Sequence, residues 1–137
     1  MKKGMIFIIL AVVLVGAILL YNQFTGTTTY EGSEVVLYEF WGNGCPHCAR
    51  LNVFLENMKE KYPSLTVKDY EVWYNKVNND KMLEMARAYN VNVEGVPAVF
   101  INDKFISGFS TSIGEEIEQE IQKCLAEGCV NPGDRLE

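Results

Sequence analysis

With 137 residues the chain has room for one domain of modest size, and its 12 basic and 18 acidic residues leave a net charge of −6. Lys2 and Lys3 are the only charged residues before Asn22, so the rest of the chain carries 10 basic and 18 acidic side chains, a net of −8. So acidic a domain argues against nucleic acid or anionic lipid as a partner, because their phosphates would be repelled.

The first element in chain order is residues 4–20, GMIFIILAVVLVGAILL, which carry neither a charge nor a polar side chain. As a helix the stretch spans about 25 Å, the short end of a bilayer crossing. It is longer than the usual apolar core of a signal peptide, and the bulky LLYNQF offers no small-x-small cleavage site. Residues 1–21 are therefore read as an anchor or signal, with a retained single-pass transmembrane helix favoured over a cleaved signal. Lys2 and Lys3 should stay cytoplasmic, which places everything after residue 21 outside the cytoplasm, in a periplasm or at the cell exterior. Residues 22–33, NQFTGTTTYEGS, are rich in Thr and Gly and read as a linker.

EVVLYEFW, residues 34–41, is β-branched and aromatic and predicts a buried strand, ended by the turn Gly42-Asn43-Gly44. Cys48, Leu51, Leu55, Met58 and Tyr62 recur at three- and four-residue steps and predict a helix stopped by Pro63. Residues 65–74 read as a second strand with Leu65, Val67 and Val72 inward. Residues 79–90 read as a second helix capped by Asn79 or Asp80. Residues 97–101 and 104–109 flank Asn102-Asp103 as a hairpin. Ser112-Ile113-Gly114-Glu115 has the form of a capping box and announces a last helix striped by Ile113, Ile117, Ile121, Cys124 and Leu125. The order is β-α-β-α-β-β-α over residues 34–126, with 127–137 as a C-terminal tail. A strand–helix–strand unit joins parallel strands and a hairpin adds antiparallel ones. The expected fold is therefore α/β, with a mixed sheet and helices on both faces.

Two cysteines three apart, with the chain's one histidine between them, form Cys45-Pro46-His47-Cys48 at the first strand–helix junction. Pro46 falls on the first helical position, where its fixed φ and missing N–H cost nothing. Free N–H groups and the positive end of the helix dipole favour a Cys45 thiolate. Cys48 lies on the same side of the first turn, close enough to close a small disulfide ring. A His47 imidazolium would stabilise the thiolate further and make the disulfide a stronger oxidant. Other readings are a structural staple, though so short a loop constrains the unfolded chain little, and a zinc cage completed by Cys124 and Cys129. Haem attachment would need a histidine where Ala49 stands. Neither a metal ligand set nor a bound cofactor is expected.

FWGNGCPHC, the later EGVPAVFI and the element order resemble the thioredoxin superfamily over roughly residues 34–125. The tetrapeptide resembles that of the bacterial periplasmic disulfide-bond oxidases of the Dsb type, not the Cys-Gly-Pro-Cys of thioredoxin itself. The resemblance implies Cys45 as the exposed nucleophile and Cys48 as the buried resolving thiol. It implies that Val96-Pro97 is the cis-proline segment that pairs with substrate backbone. It also implies that Glu39 is a buried acid beneath the site, with a raised pKa, able to accept the proton of Cys48. The large helical insertion of the Dsb oxidases is absent. Cys124 and Cys129 also depart from the pattern; they read as a structural disulfide, with a second redox pair or two free thiols as alternatives.

These readings converge on an extracytoplasmic thiol–disulfide oxidoreductase that donates the Cys45–Cys48 disulfide to substrate proteins through a mixed disulfide. The alternatives are a membrane-tethered reductase of cytochrome-maturation type and a non-catalytic binding module of the same frame. By resemblance, the partners are proteins bearing thiols or disulfides and a membrane redox protein, either a quinone-linked oxidase or an electron-transferring membrane protein.

Overall fold

The computed structural model of the chain describes residues 12–15 and 34–136, which belong to two units, Met1–Tyr30 and Glu31–Glu137, each taken by itself. In the first unit residues 12–15 are helical. The rest of the expected anchor, 1–21, and the linker, 22–33, lie outside the described residues. Among the described residues no helix is long and apolar enough to cross a membrane.

The second unit is built from β1 (Val35–Trp41), α1 (Pro46–Lys61), β2 (Leu65–Glu71), α2 (Lys76–Ala88), β3 (Ala98–Ile101), β4 (Lys104–Ser107) and α3 (Thr111–Glu127), followed by a 3₁₀ turn at Pro132–Arg135. The sheet runs β2-β1-β3-β4. β1 pairs with β2 in parallel, Glu39 opposite Asp69 and Trp41 opposite Glu71, and with β3 antiparallel, Leu37 opposite Ile101. Pleating sends alternate β1 side chains to opposite faces. Val35 and Leu37 join Leu51 and Leu55 of α1 and Ile117 and Ile121 of α3 in one core. Val36, Tyr38 and Phe40 join Met82 and Met85 of α2 and Phe100 in the other. The expected α/β architecture, a mixed sheet covered by helices on both faces, is the one observed.

Several boundaries differ from the sequence reading: β2 ends at Glu71 instead of residue 74, and β4 at Ser107 instead of residue 109. α2 begins at Lys76, not at residue 79, because Asn75 caps it: its side chain accepts from the Asn78 N–H at 3.2 Å. α3 begins at Thr111, capped by Ser110, whose Oγ accepts from the Ile113 N–H at 3.3 Å, so Ser112 lies inside the helix. The tail 127–137 packs on the domain that precedes it. Gly128, at φ 85°, turns the chain, and the Val130 N–H donates to Asn102 Oδ1 at 3.2 Å. Pro132 is buried and Leu136 packs on the second core.

Candidate active site

β1 runs directly into α1 through the turn Gly42–Gly44, which delivers Cys45 to the helix N-terminus. Gly44 adopts φ 90°, a left-handed backbone that glycine enters without a Cβ clash. Cys45 is the N-cap of α1 and Pro46 its first residue. Cys45 and Cys48 form a disulfide, and Cys45 Sγ accepts from the Cys48 N–H at 3.1 Å. Cys45 keeps 8% of its surface exposed and Cys48 4%. The nucleophile expected to be exposed is thus mostly covered, whereas its neighbours Asn43, Gly44, Pro46 and His47 are exposed. Val96–Pro97 is a cis peptide, and the Val96 carbonyl oxygen lies 3.9 Å from Cys45 Sγ. The Pro97 carbonyl accepts from the Gly108 N–H at 2.8 Å, which ties this loop to the end of β4.

His47 is exposed, and its Nδ1 lies 2.8 Å from an Arg50 guanidinium nitrogen and 3.3 Å from the Phe109 carbonyl oxygen. Arginine only donates, so that contact takes the Nδ1 lone pair, whereas a bond to the carbonyl needs a proton there. The two demands on Nδ1 exclude one another. Arg50 therefore brings a permanent cation to the turn, beside His47.

Glu39 lies beneath the disulfide on the α1 face of the sheet, 3% exposed, and its Oε1 has no hydrogen-bond partner. Burial pushes its carboxyl up to about 7, and the carboxylates of Asp69 and Glu56 push the same way. Glu39 lines two cavities. One, of about 350 Å³, reaches Cys45 and Cys48 past Asn52; the other, of about 180 Å³, is bounded by Asn52, Glu56, Lys59 and Asp69.

Cys124 and Cys129 form the second disulfide, with Cys124 fully buried in the first core. Phe109, just before α3, meets His47, whereas Cys124 lies 13 residues into the helix from Thr111, a rise of about 20 Å. The two sulfur pairs thus occupy opposite ends of the sheet. The four sulfurs do not converge, so they form no four-thiolate cage, and direct exchange between the pairs within one molecule has no short path.

Sequence reasoning missed three contributors. Arg50 and Asp69 acquire their places only through tertiary contact. Glu71 was read only as part of a strand, yet its carboxylate accepts from the N–H groups of Asn43 at 3.3 Å, Trp73 at 2.9 Å and Tyr74 at 2.9 Å. Burial raises its pKa, but these backbone donors outweigh burial and hold the carboxyl below the ordinary range.

A small disulfide on a helix N-terminus, with a buried acid behind it and the Val96 carbonyl 3.9 Å from Cys45 Sγ, is equipped for dithiol–disulfide exchange. Residues 19–127 match the family model described as Thioredoxin, and the chain belongs to that family. Solved structures with the same fold include a Chlorobium tepidum protein assigned as the thiol:disulfide interchange protein DsbE. It is 23% identical, with a TM-score of 0.53, over 70% of this chain and 82% of that one. A periplasmic thioredoxin-like protein from Salmonella enterica serovar Typhimurium is 17% identical, with a TM-score of 0.51, over 71% of this chain and 87% of that one. At these identities the likeness is one of fold.

Proposed function

We propose that the chain is an extracytoplasmic thiol–disulfide oxidoreductase that donates its Cys45–Cys48 disulfide to substrate proteins. The observation that carries the reading is the Cys45 sulfur at the cap of α1, accepting the Cys48 N–H at 3.1 Å, with Glu39 buried behind it. A substrate thiolate attacks Cys45 Sγ, the Cys45–Cys48 bond breaks, and Cys48 leaves as a thiolate that takes a proton from Glu39. A second substrate thiolate then attacks the substrate sulfur of the mixed disulfide and expels Cys45 as a thiolate held by the helix N-terminus. Two electrons pass to the Cys45/Cys48 pair and the substrate leaves oxidised. In the reverse reaction Glu39 takes the proton of Cys48. A carboxyl with a pKa near 7 serves both directions, since neither form is scarce at neutral pH.

In this reading Pro46 starts the helix under the nucleophile, and Arg50, beside His47, supplies positive charge to the turn. Val96 offers its backbone to the substrate chain beside Cys45, and Pro97 shapes that segment. Cys124–Cys129 pins the tail and takes no part in the exchange. Residues 1–21 tether the domain to the membrane through the linker 22–33, and a membrane redox protein reoxidises the dithiol. The Cys-Pro-His-Cys tetrapeptide supports the direction of electron flow, because a stabilised thiolate makes its disulfide oxidising.

A second reading runs the same exchange as a reduction. The observation that favours it is that His47 Nδ1 lies against Arg50 and the Phe109 carbonyl instead of against Cys45 Sγ. The fold likeness to an assigned interchange protein DsbE is compatible with either direction. The reduction potential of Cys45/Cys48, measured in glutathione buffers, separates the two. A value near about −120 mV marks a disulfide donor and one near about −270 mV a reductant. A Cys45→Ser chain that retains full biological function would leave only a binding module.

A further inference from the structure

The turn that presents Cys45 is fastened to a second loop, β2–α2, by a single carboxylate. Glu71 stands opposite Trp41 in the β1–β2 ladder, and the Val72 N–H continues that ladder to the Trp41 carbonyl at 2.9 Å. Beyond the ladder the two chains part, yet the Glu71 side chain reaches both. Its Oε1 takes the N–H groups of Asn43 and Trp73, and its Oε2 takes that of Tyr74. The Glu71 carbonyl also accepts from Asn78 Nδ2 at 2.9 Å, which locks the loop to the first turn of α2. The result of this fastening is the place of Trp73. Its indole lies so close over Gly42 that a Cβ there would collide with the ring, and Gly42 is buried beneath it. The Gly42 carbonyl in turn accepts the Cys45 N–H at 3.0 Å.

Trp73 nevertheless stays 54% exposed, Tyr74 80% and Val77 74%. A large apolar side chain held in a fixed position while facing water marks a contact surface, since burying it elsewhere would be favourable. This surface is continuous with the exchange site, because Gly42 and Asn43 both line the cavity that reaches Cys45 and lie against Trp73 and Glu71.

We propose that Trp73 selects an apolar residue beside the reacting cysteine of the substrate polypeptide, and that Glu71 is the positioning residue that holds Trp73 and the Cys45 turn in one frame. The inference rests on the thiol–disulfide exchange reading and adds a substrate preference to it. Trp73 provides the contact. Glu71 acts through it, its carboxylate already accepting from three backbone N–H groups.

The test uses the full chain in detergent micelles and two dithiol peptides of about a dozen residues, with Phe beside each cysteine in one and Ser in the other. Peptide oxidation is followed by acid quench and chromatography, and the reduced chain is also offered the two peptide disulfides, so the preference is read whichever way electrons run. The wild type should prefer the Phe peptide by about tenfold, an aromatic contact's worth. Trp73→Ala, a change at an exposed position, should bring the ratio to near one, and Glu71→Ala should do the same. Glu71→Gln keeps an oxygen acceptor and should retain most of the preference. If Glu71 acts through Trp73, the Glu71→Ala/Trp73→Ala double variant loses no more preference than Trp73→Ala alone. A wild type that oxidises or reduces neither peptide overturns the exchange reading itself and this inference with it. A wild type that exchanges with both at equal rate, or a Trp73→Ala chain that keeps the preference, overturns this inference alone. Additive losses in the double variant remove Glu71 from it.

Discussion

Replacing Glu39 by glutamine tests the buried acid where its effect is largest. In the folded chain this carboxyl titrates near 7, against an ordinary value of 4.5. Between those values the folded state keeps a proton that the unfolded state releases, so folding stability falls as pH rises from about 4.5 to about 7. At 1.4 kcal/mol per unit, the penalty above pH 7 is about 3 kcal/mol. Glutamine has nearly the same shape and never ionises. Its stability relative to the wild type should therefore rise by about 3 kcal/mol between pH 4 and pH 8, whatever constant offset the amide introduces. Urea unfolding of the oxidised chain, followed by the fluorescence of Trp41 and Trp73 at several pH values, measures that difference. Parallel stability curves for the two proteins across this range would refute the reasoning, because Glu39 would then carry its charge in the folded state at no cost.

The other carboxylate in the interior predicts the opposite slope. Glu120 is 2% exposed and accepts from Asn102 at 2.9 Å and Lys104 at 2.8 Å; burial raises its pKa, but those two partners outweigh it and hold the carboxyl low. Glu120→Gln should cost about 2 kcal/mol at pH 7, a loss that fades in urea titrations as the pH drops below about 4.5. His47→Ala should make the Cys45/Cys48 couple more reducing by about 30 mV for each pKa unit the Cys45 thiol gains, read in glutathione buffers. A couple unchanged by His47→Ala but shifted by Arg50→Ala would assign the charge to arginine. Replacing Cys124 and Cys129 together by alanine removes a loop closed across five positions and should cost about 2 kcal/mol in urea unfolding. Peptide exchange at Cys45 should keep its rate, since that pair lies at the far end of the sheet.

The parts of the fold written in local chemistry are legible in the sequence. Helix α1 shows its apolar spacing, its proline at the first position and its stop at Pro63. Strand β1 shows its β-branched run, but VVLYEFW is apolar on both faces, so alternation alone does not say which way Glu39 points. The start of α2 is hidden because Asn75, Asn78, Asn79 and Asp80 are all good caps, and packing of Met82 and Met85 chooses among them. The capping-box pattern at Ser112 misleads for a similar reason: Ser110 caps as well, two residues earlier. Contacts that depend on strand register leave no mark in the sequence. Glu71 reaches Asn43 only because β2 pairs with β1 at Trp41, and the tail docks only because Asn102, at φ 53°, turns its side chain to Val130.

Cys45 occupies a place usually given to Ser, Thr, Asp or Asn, the residue that caps a helix. A thiolate accepts the Cys48 N–H more strongly than a disulfide sulfur does, so each catalytic round strengthens and then relaxes the cap of a 16-residue helix. Folding and electron transfer thereby share one thermodynamic cycle. Whatever free energy the reduced fold gains over the oxidised fold, relative to the unfolded chain, equals the excess oxidising power of the disulfide. A comparison of the two melting curves would report, in calories, a quantity that an electrode reports in millivolts.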